Sequence, residues 1–199
     1  MKLPKSLIWF ISSFLLFHII FILMWGEQQV YWTLYSGMML FAAISYIFYQ
    51  RDAKAKRLVT SIGIGIIVGI ALILLQVILS WPISQLSYSA LTKSLTHSGV
   101  YFKIQILFTL VCVIPCHELY MRAILQKYLM ARQLPTWTAI VITAIASSSF
   151  FIYLNNWWIV ALIFLAQVIL SIGYFYTRRT ITTIVAQVVA VVLLLIIQV

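Results

Sequence analysis

The chain has 199 residues, 64% of them hydrophobic and 8% charged, with a mean hydropathy of +1.10 and a formal net charge of +10. No soluble core of this length absorbs so much apolar surface, and no polar stretch is long enough to form a second domain beside a single anchor. The composition predicts an all-α, polytopic membrane helical bundle folded as a single transmembrane domain over residues 1–199.

Seven apolar segments approach the ~20 residues that a helix needs to cross the hydrocarbon. They run 7–25, 30–49, 58–80, 102–131, 137–154, 157–176 and 180–198. Lys2 and Lys5 precede the first, as in a signal peptide. The apolar run from Leu7 to Trp25 exceeds the ~7–15 residues of a signal core, however, and no small-x-small site precedes Gly26-Glu27. It reads as a retained first span. Breaks fall at Gly26 to Gln29, Gln50 to Arg57, Trp81 to Gly99, Arg132 to Pro135, Asn155-Asn156 and Thr177 to Arg179. The segments are too long and too uniformly apolar for the alternating pattern of a barrel. In the longest break, Ile83 to Leu86 and Leu91 to Leu95 fit either a short amphipathic surface helix or a plain loop.

Seven crossings with the N-terminus inside place Lys2, Lys5, Arg51, Lys54, Lys56, Arg57, Lys127, Arg132, Arg178 and Arg179 on the inner face. Only Lys93 and Lys103 fall outside, in keeping with the positive-inside rule. Trp81, Trp137, Trp157 and Trp158 stand at segment ends, where interfacial tryptophans belong. The basic excess is thus a matter of topology and of attraction to anionic lipid. Membrane lipids are the expected partners, and nucleic acid is not.

Most candidate chemistry has a bland reading. Cys112 and Cys116 lie four apart with His117 adjacent, but His117 points about 100° from Cys116 around a helix. No second ligand cluster accompanies them, so no metal site and no cofactor is expected. His18 reads as an interior histidine facing a neighbouring helix, and His97 as a solvated loop residue. Ser147, Ser148 and Ser149 read as close-packing positions with no histidine partner, which argues against a serine nucleophile. Glu118 is different. It is the one carboxylate inside an apolar segment, because Glu27 and Asp52 fall in polar breaks. A charge at the bilayer centre costs roughly 2.5–3.5 kcal/mol on insertion scales and is usually paired. Arg122, four residues on, shares its helical face. The pair is either a register lock or part of a functional centre.

The surrounding residues carry a resemblance. Pro115-Cys116-His117-Glu118-Leu119-Tyr120-Met121-Arg122 resembles the first motif, Glu-Glu-x-x-x-Arg, of the CPBP family, the intramembrane endopeptidases related to the CAAX-processing protease and to bacterial immunity (Abi) proteins. Glu118 and Arg122 match, and His117 replaces the first glutamate. Ser147-Ser148-Ser149-Phe150-Phe151-Ile152-Tyr153-Leu154-Asn155 is similar to the second motif, Phe-x-x-x-His, with Asn155 at the histidine. After Gly173-Tyr174-Phe175-Tyr176-Thr177-Arg178, Gln187 and Val191 stand near the positions of a third motif, His-x-x-x-Asn. The resemblance covers about residues 100–195.

In that family the first glutamate and two histidines are held to activate water and to stabilise the oxyanion. The resemblance therefore implies His117, Glu118, Arg122, Asn155 and Gln187 as the site positions. Amides such as Asn155 and Gln187 hydrogen-bond but exchange no proton near pH 7. The expectation is a catalytically degenerate member that binds another membrane protein as regulator, immunity factor or stabilising subunit. The alternative is an active endopeptidase using Glu118 with His117 as base. A transporter is disfavoured, since one charged pair without repeated broken helices lacks the usual signature. The charge pattern suits a bacterial inner membrane. One geometric tension is visible: Glu118 lies ~21 Å of helix from Arg132, and Asn155 ~30 Å beyond Pro135, so straight helices leave the two at different depths. The orientation is directly testable. A reporter fused after Val199 is expected to be active only outside the cytoplasm, and activity confined to the cytoplasm would overturn the seven-crossing topology.

Overall fold

The structure is a computed structural model that describes residues 4–49, 58–101, 103–132 and 134–197. Lys2, Arg51, Asp52, Lys54, Lys56 and Arg57, on which part of the orientation argument rests, lie outside the described residues. The elements are all helical: α1 (Lys5–Leu23), α2 (Tyr31–Tyr49), α3 (Leu58–Ser80), α4 (Tyr88–His97), α5 (Lys103–Ala131), α6 (Thr136–Leu154), α7 (Trp157–Thr177) and α8 (Thr180–Ile197). The last turn of α6, Phe150–Leu154, tightens to 3-10 geometry.

Six of these helices (α1, α3, α5, α6, α7 and α8) are long and apolar enough to cross a membrane. The seven predicted segments each coincide with a helix, but α2 is not among the six. The side chains of residues 45–49, at its end, lie outside the described residues. α4 resolves the open question of the longest break in favour of a helix. Ser87 caps it by accepting from the Ala90 amide at 3.4 Å. Gly99 ends it with φ of 101°, and a Cβ there would collide with the Gln29 carbonyl oxygen. The same junction ties α4 to α2, because the Trp32 amide donates to the Ser98 carbonyl at 3.0 Å.

Helix α5 runs through the middle of the bundle. Every residue from Tyr120 to Gln126 is buried. It is not a regular α-helix: Thr109–Val113 and Leu119–Gln126 are wound as π-turns, and Pro115 lies between them. Proline removes an i→i−4 hydrogen bond and clashes with the preceding turn, and widened turns are one way a helix absorbs that misfit. Aromatic side chains of α1, α2 and α6 pack against it, among them Phe10, Phe17, Tyr31, Tyr35 and Phe150. Their polar tips are satisfied. Tyr31 Oη donates to the Phe150 carbonyl at 3.0 Å, and Tyr120 Oη donates to the Phe10 carbonyl at 3.0 Å.

On the other side, α3 and α8 approach closely through Gly65 and Gly69. A Cβ at these positions would stand 2.8 Å from the Thr182 carbonyl oxygen and 2.7 Å from that of Ala186. Small residues at such crossings let backbones meet where lipid provides no hydrophobic drive. Gly99→Ala tests the α4–α2 junction. Forcing a Cβ into a left-handed conformation costs about 1–2 kcal/mol, and the collision with Gln29 adds to it. The expected result is a lower thermal midpoint in detergent, whereas Gly63→Ala, where an added Cβ meets nothing within 4 Å, leaves the midpoint near that of the wild type.

Candidate functional site

The irregular winding of α5 sets His117, Glu118, Arg122 and Gln126 facing α2, α6, α7 and α8. Glu118 and Arg122 are the only buried acidic or basic side chains, histidine aside, among the described residues, and both are 0% exposed. Arg122 Nε donates to Glu118 Oε2 at 3.2 Å, closing the expected pair. The rest of the guanidinium is also occupied. Nη1 donates to Ser171 Oγ at 2.7 Å and to Gln126 Oε1 at 3.4 Å. Nη2 donates to the Gln167 carbonyl at 3.2 Å and to Gln167 Oε1. All five guanidinium N–H groups thereby find acceptors. Gln126 in turn donates to the Ser171 carbonyl at 2.9 Å. From α8, Gln187 Nε2 donates to Glu118 Oε1 at 2.6 Å, so each carboxylate oxygen has a donor.

His117 faces the other way. Its Nδ1 is hydrogen-bonded to Tyr35 Oη of α2, and its Nε2 lies 2.6 Å from Ser147 Oγ of α6. A second such pair lies nearby, with His18 Nε2 at 3.0 Å from Ser149 Oγ. These two contacts correct the reading of Ser147–Ser149 as lacking a histidine partner. The partners come from α5 and α1, 30 and 131 residues away, and no local spacing announces them.

Of the five predicted positions, the structure brings four together: His117, Glu118, Arg122 and Gln187. It does not bring in Asn155. That residue is exposed at the turn after α6, in the left-handed region with φ of 54°. The tension in helix length is thus real: α6 continues past the depth of Glu118, and the α6 residue at the level of His117 is Ser147, two turns earlier. Sequence reasoning missed Tyr35, Gln126, Ser147, Gln167 and Ser171. Gln126 repeats the four-residue spacing of Glu118 and Arg122, and Gln167 and Ser171 repeat it on α7. Both were signals of a polar face inside an apolar span.

Beside this cluster lies a cavity of about 240 Å³ between α2, α3, α5, α6, α7 and α8. Its polar wall is made by Tyr35, His117, Gln167 and Gln187, and most of the remainder is apolar, including Leu72, Leu170 and Val191. Neither Glu118 nor Arg122 reaches the wall. Glu118 lies behind the Gln187 amide that binds it. The space can therefore take an apolar group and offer hydrogen bonds at one end. No group of three or more metal-ligating side chains is assembled among the described residues.

The pair itself is open to test. Removing one partner of a buried ion pair costs about 3–5 kcal/mol, because the other charge is left uncompensated. Arg122→Ala is expected to lower thermal stability far more than Lys127→Ala, since Lys127 sits near the helix end. The double variant Glu118→Ala with Arg122→Ala is expected to recover part of the loss. Strictly additive losses would show that the two side chains do not act as a pair.

Residues 99–193 match a family model described as type II CAAX prenyl endopeptidase Rce1-like. No curated protein and no solved structure matches the chain.

Proposed function

With residues 99–193 an Rce1-like domain of the CAAX prenyl endopeptidase type, we propose that this membrane protein keeps the ligand space of that family but not its glutamate-dependent hydrolysis. It acts by holding a membrane partner or ligand. The observation that carries this reading is the wall of the cavity. A general base must come within about 2.6–3.2 Å of the proton it takes, directly or through one water. Glu118 is 0% exposed and is screened from the cavity by Gln187, which donates to it at 2.6 Å. Where the family motifs place histidines, this chain has Gln187 at the cluster and Asn155 at an exposed turn. An amide neither takes nor gives a proton near neutral pH.

His117 stands on the cavity wall. Both of its ring nitrogens are engaged by hydroxyls, Tyr35 and Ser147. The partner or ligand is expected in the plane of the membrane, in a bacterial inner membrane with the N-terminus inside. Regulation, immunity or stabilisation of another membrane protein all fit a site that binds without cleaving.

Purified wild-type protein, folded by its thermal transition in detergent, is expected to leave prenylated and unmodified peptide libraries uncut over a wide pH range. Glu118→Gln, in membranes where its thermal transition shows that the bundle still folds, is expected to leave partner association largely intact. Cleavage by the wild type that Glu118→Gln abolishes would overturn the proposal and establish the family's hydrolytic activity instead.

A further inference from the structure

A second cavity of about 110 Å³ adjoins the first, lined by Leu95, Val100, Ile106 and Leu110 beneath α4. Four residues border both spaces: Trp32, Thr109, Ile114 and Val191. They form the partition. Its one polar closure is a hydrogen bond from Trp32 Nε1 of α2 to Thr109 Oγ1 of α5 at 3.0 Å. The Thr109 hydroxyl donates its own proton to the Gln105 carbonyl at 2.8 Å, so its free lone pair is available to receive the indole. Thr109 also opens the first π-turn of α5, an irregularity common at functional positions. Trp32 is braced on its far side by Tyr35, with ring centroids 5.5 Å apart.

Resting on the reading that the main cavity holds a ligand, we infer that Trp32 is the stop that sets how long an apolar chain this protein admits. The occupant fits one description. Apart from Trp32 and Thr109, whose indole and hydroxyl bond each other, the main cavity offers hydrogen-bonding groups only towards the Tyr35, His117, Gln167 and Gln187 end, and among the described residues neither cavity is lined by an aspartate, glutamate, lysine or arginine. The ligand is therefore an uncharged, single-chain lipid with a hydrogen-bonding head. The head lies at Gln167 and Gln187, and the chain runs past Leu72 and Leu170 towards Trp32. A cavity of about 150 Å³ takes benzene, so the main cavity takes more than about six carbons. The side pocket under α4 has room for several more, but a chain enters it only if the Trp32 ring leaves the partition.

The test uses n-alkanols of about eight to sixteen carbons, added to the purified full chain in digitonin, whose apolar part is a steroid and not an alkyl chain. A ligand that binds only the folded protein raises its thermal midpoint by mass action. Wild-type protein is expected to show a length optimum, with longer chains gaining nothing. In Trp32→Ala the optimum is expected to move several carbons longer, with binding tightening about fourfold per added methylene until the side pocket is filled. Trp32→Phe, which keeps a ring in place, covers the case in which the alanine variant fails to fold, and is expected to shift the optimum the same way by less. Adding Leu95→Trp, which fills the side pocket, is expected to return the optimum to the wild-type length. An unchanged optimum in the Trp32 variants overturns the stop and leaves the ligand-binding reading standing. No stabilisation of the wild type by any alkanol removes both.

Discussion

Everything at the centre of this bundle is arranged around one ion pair that cannot be solvated. Glu118 and Arg122 are completely buried. A single unpaired charge at that depth costs several kcal/mol, and even a paired one must satisfy its remaining hydrogen-bonding capacity. The chain does this without waste. Gln167 and Ser171 of α7 and Gln126 of α5 accept from the guanidinium N–H groups that Glu118 does not engage, and Gln187 of α8 donates to the second carboxylate oxygen. The bonds that neutralise the pair are the same bonds that fix α7 and α8 against α5. Register between these helices is thus set electrostatically in a region where apolar packing alone is permissive.

The shape of α5 follows from the same demand. Glu118, Arg122 and Gln126 succeed one another every four residues, and the backbone from Leu119 to Gln126 is wound as a π-turn. The polar row stays directed at α7 and α8, while Tyr120 remains free to bond α1 through Phe10. The turn before it, at Thr109–Val113, accommodates Pro115 and places Thr109 opposite Trp32. Two departures from regular winding therefore serve two places: the charged node, and the partition between the cavities.

How much of this was legible in the sequence depends on whether the signal is local. Hydropathy alone located the seven long helices to within a few residues, because a span is a property of consecutive side chains, whereas the amphipathic α4 stayed open between helix and loop. The Glu118–Arg122 contact was equally visible, being an i, i+4 pair. Gln187 was reachable only through a family pattern, since its contact with Glu118 spans 69 residues. The α6 position of that pattern, Asn155, stands away from the cluster. Counting from Phe151 to Asn155 ignores depth, and the tightened last turn carries Asn155 to the exposed end while Ser147 meets His117. The π-turns were not legible at all, because no composition rule separates a widened turn from an α-turn in a uniformly apolar stretch.

His117, Glu118, Arg122 and Gln187 form a consistent set in charge. A second carboxylate at position 117 would add a buried negative charge beside Glu118, and Arg122 has no N–H left to answer it. A histidine there is held by two hydroxyls, Tyr35 and Ser147, and needs no counter-charge. Gln187 can donate to Glu118 without titrating, which a histidine cannot do independently of pH. The node thus consists of one cation, one anion and uncharged hydrogen-bonding groups, a composition suited to standing still. Any further charge placed in the node would enter a shell whose guanidinium donors are already spent and would stand there without a counter-charge.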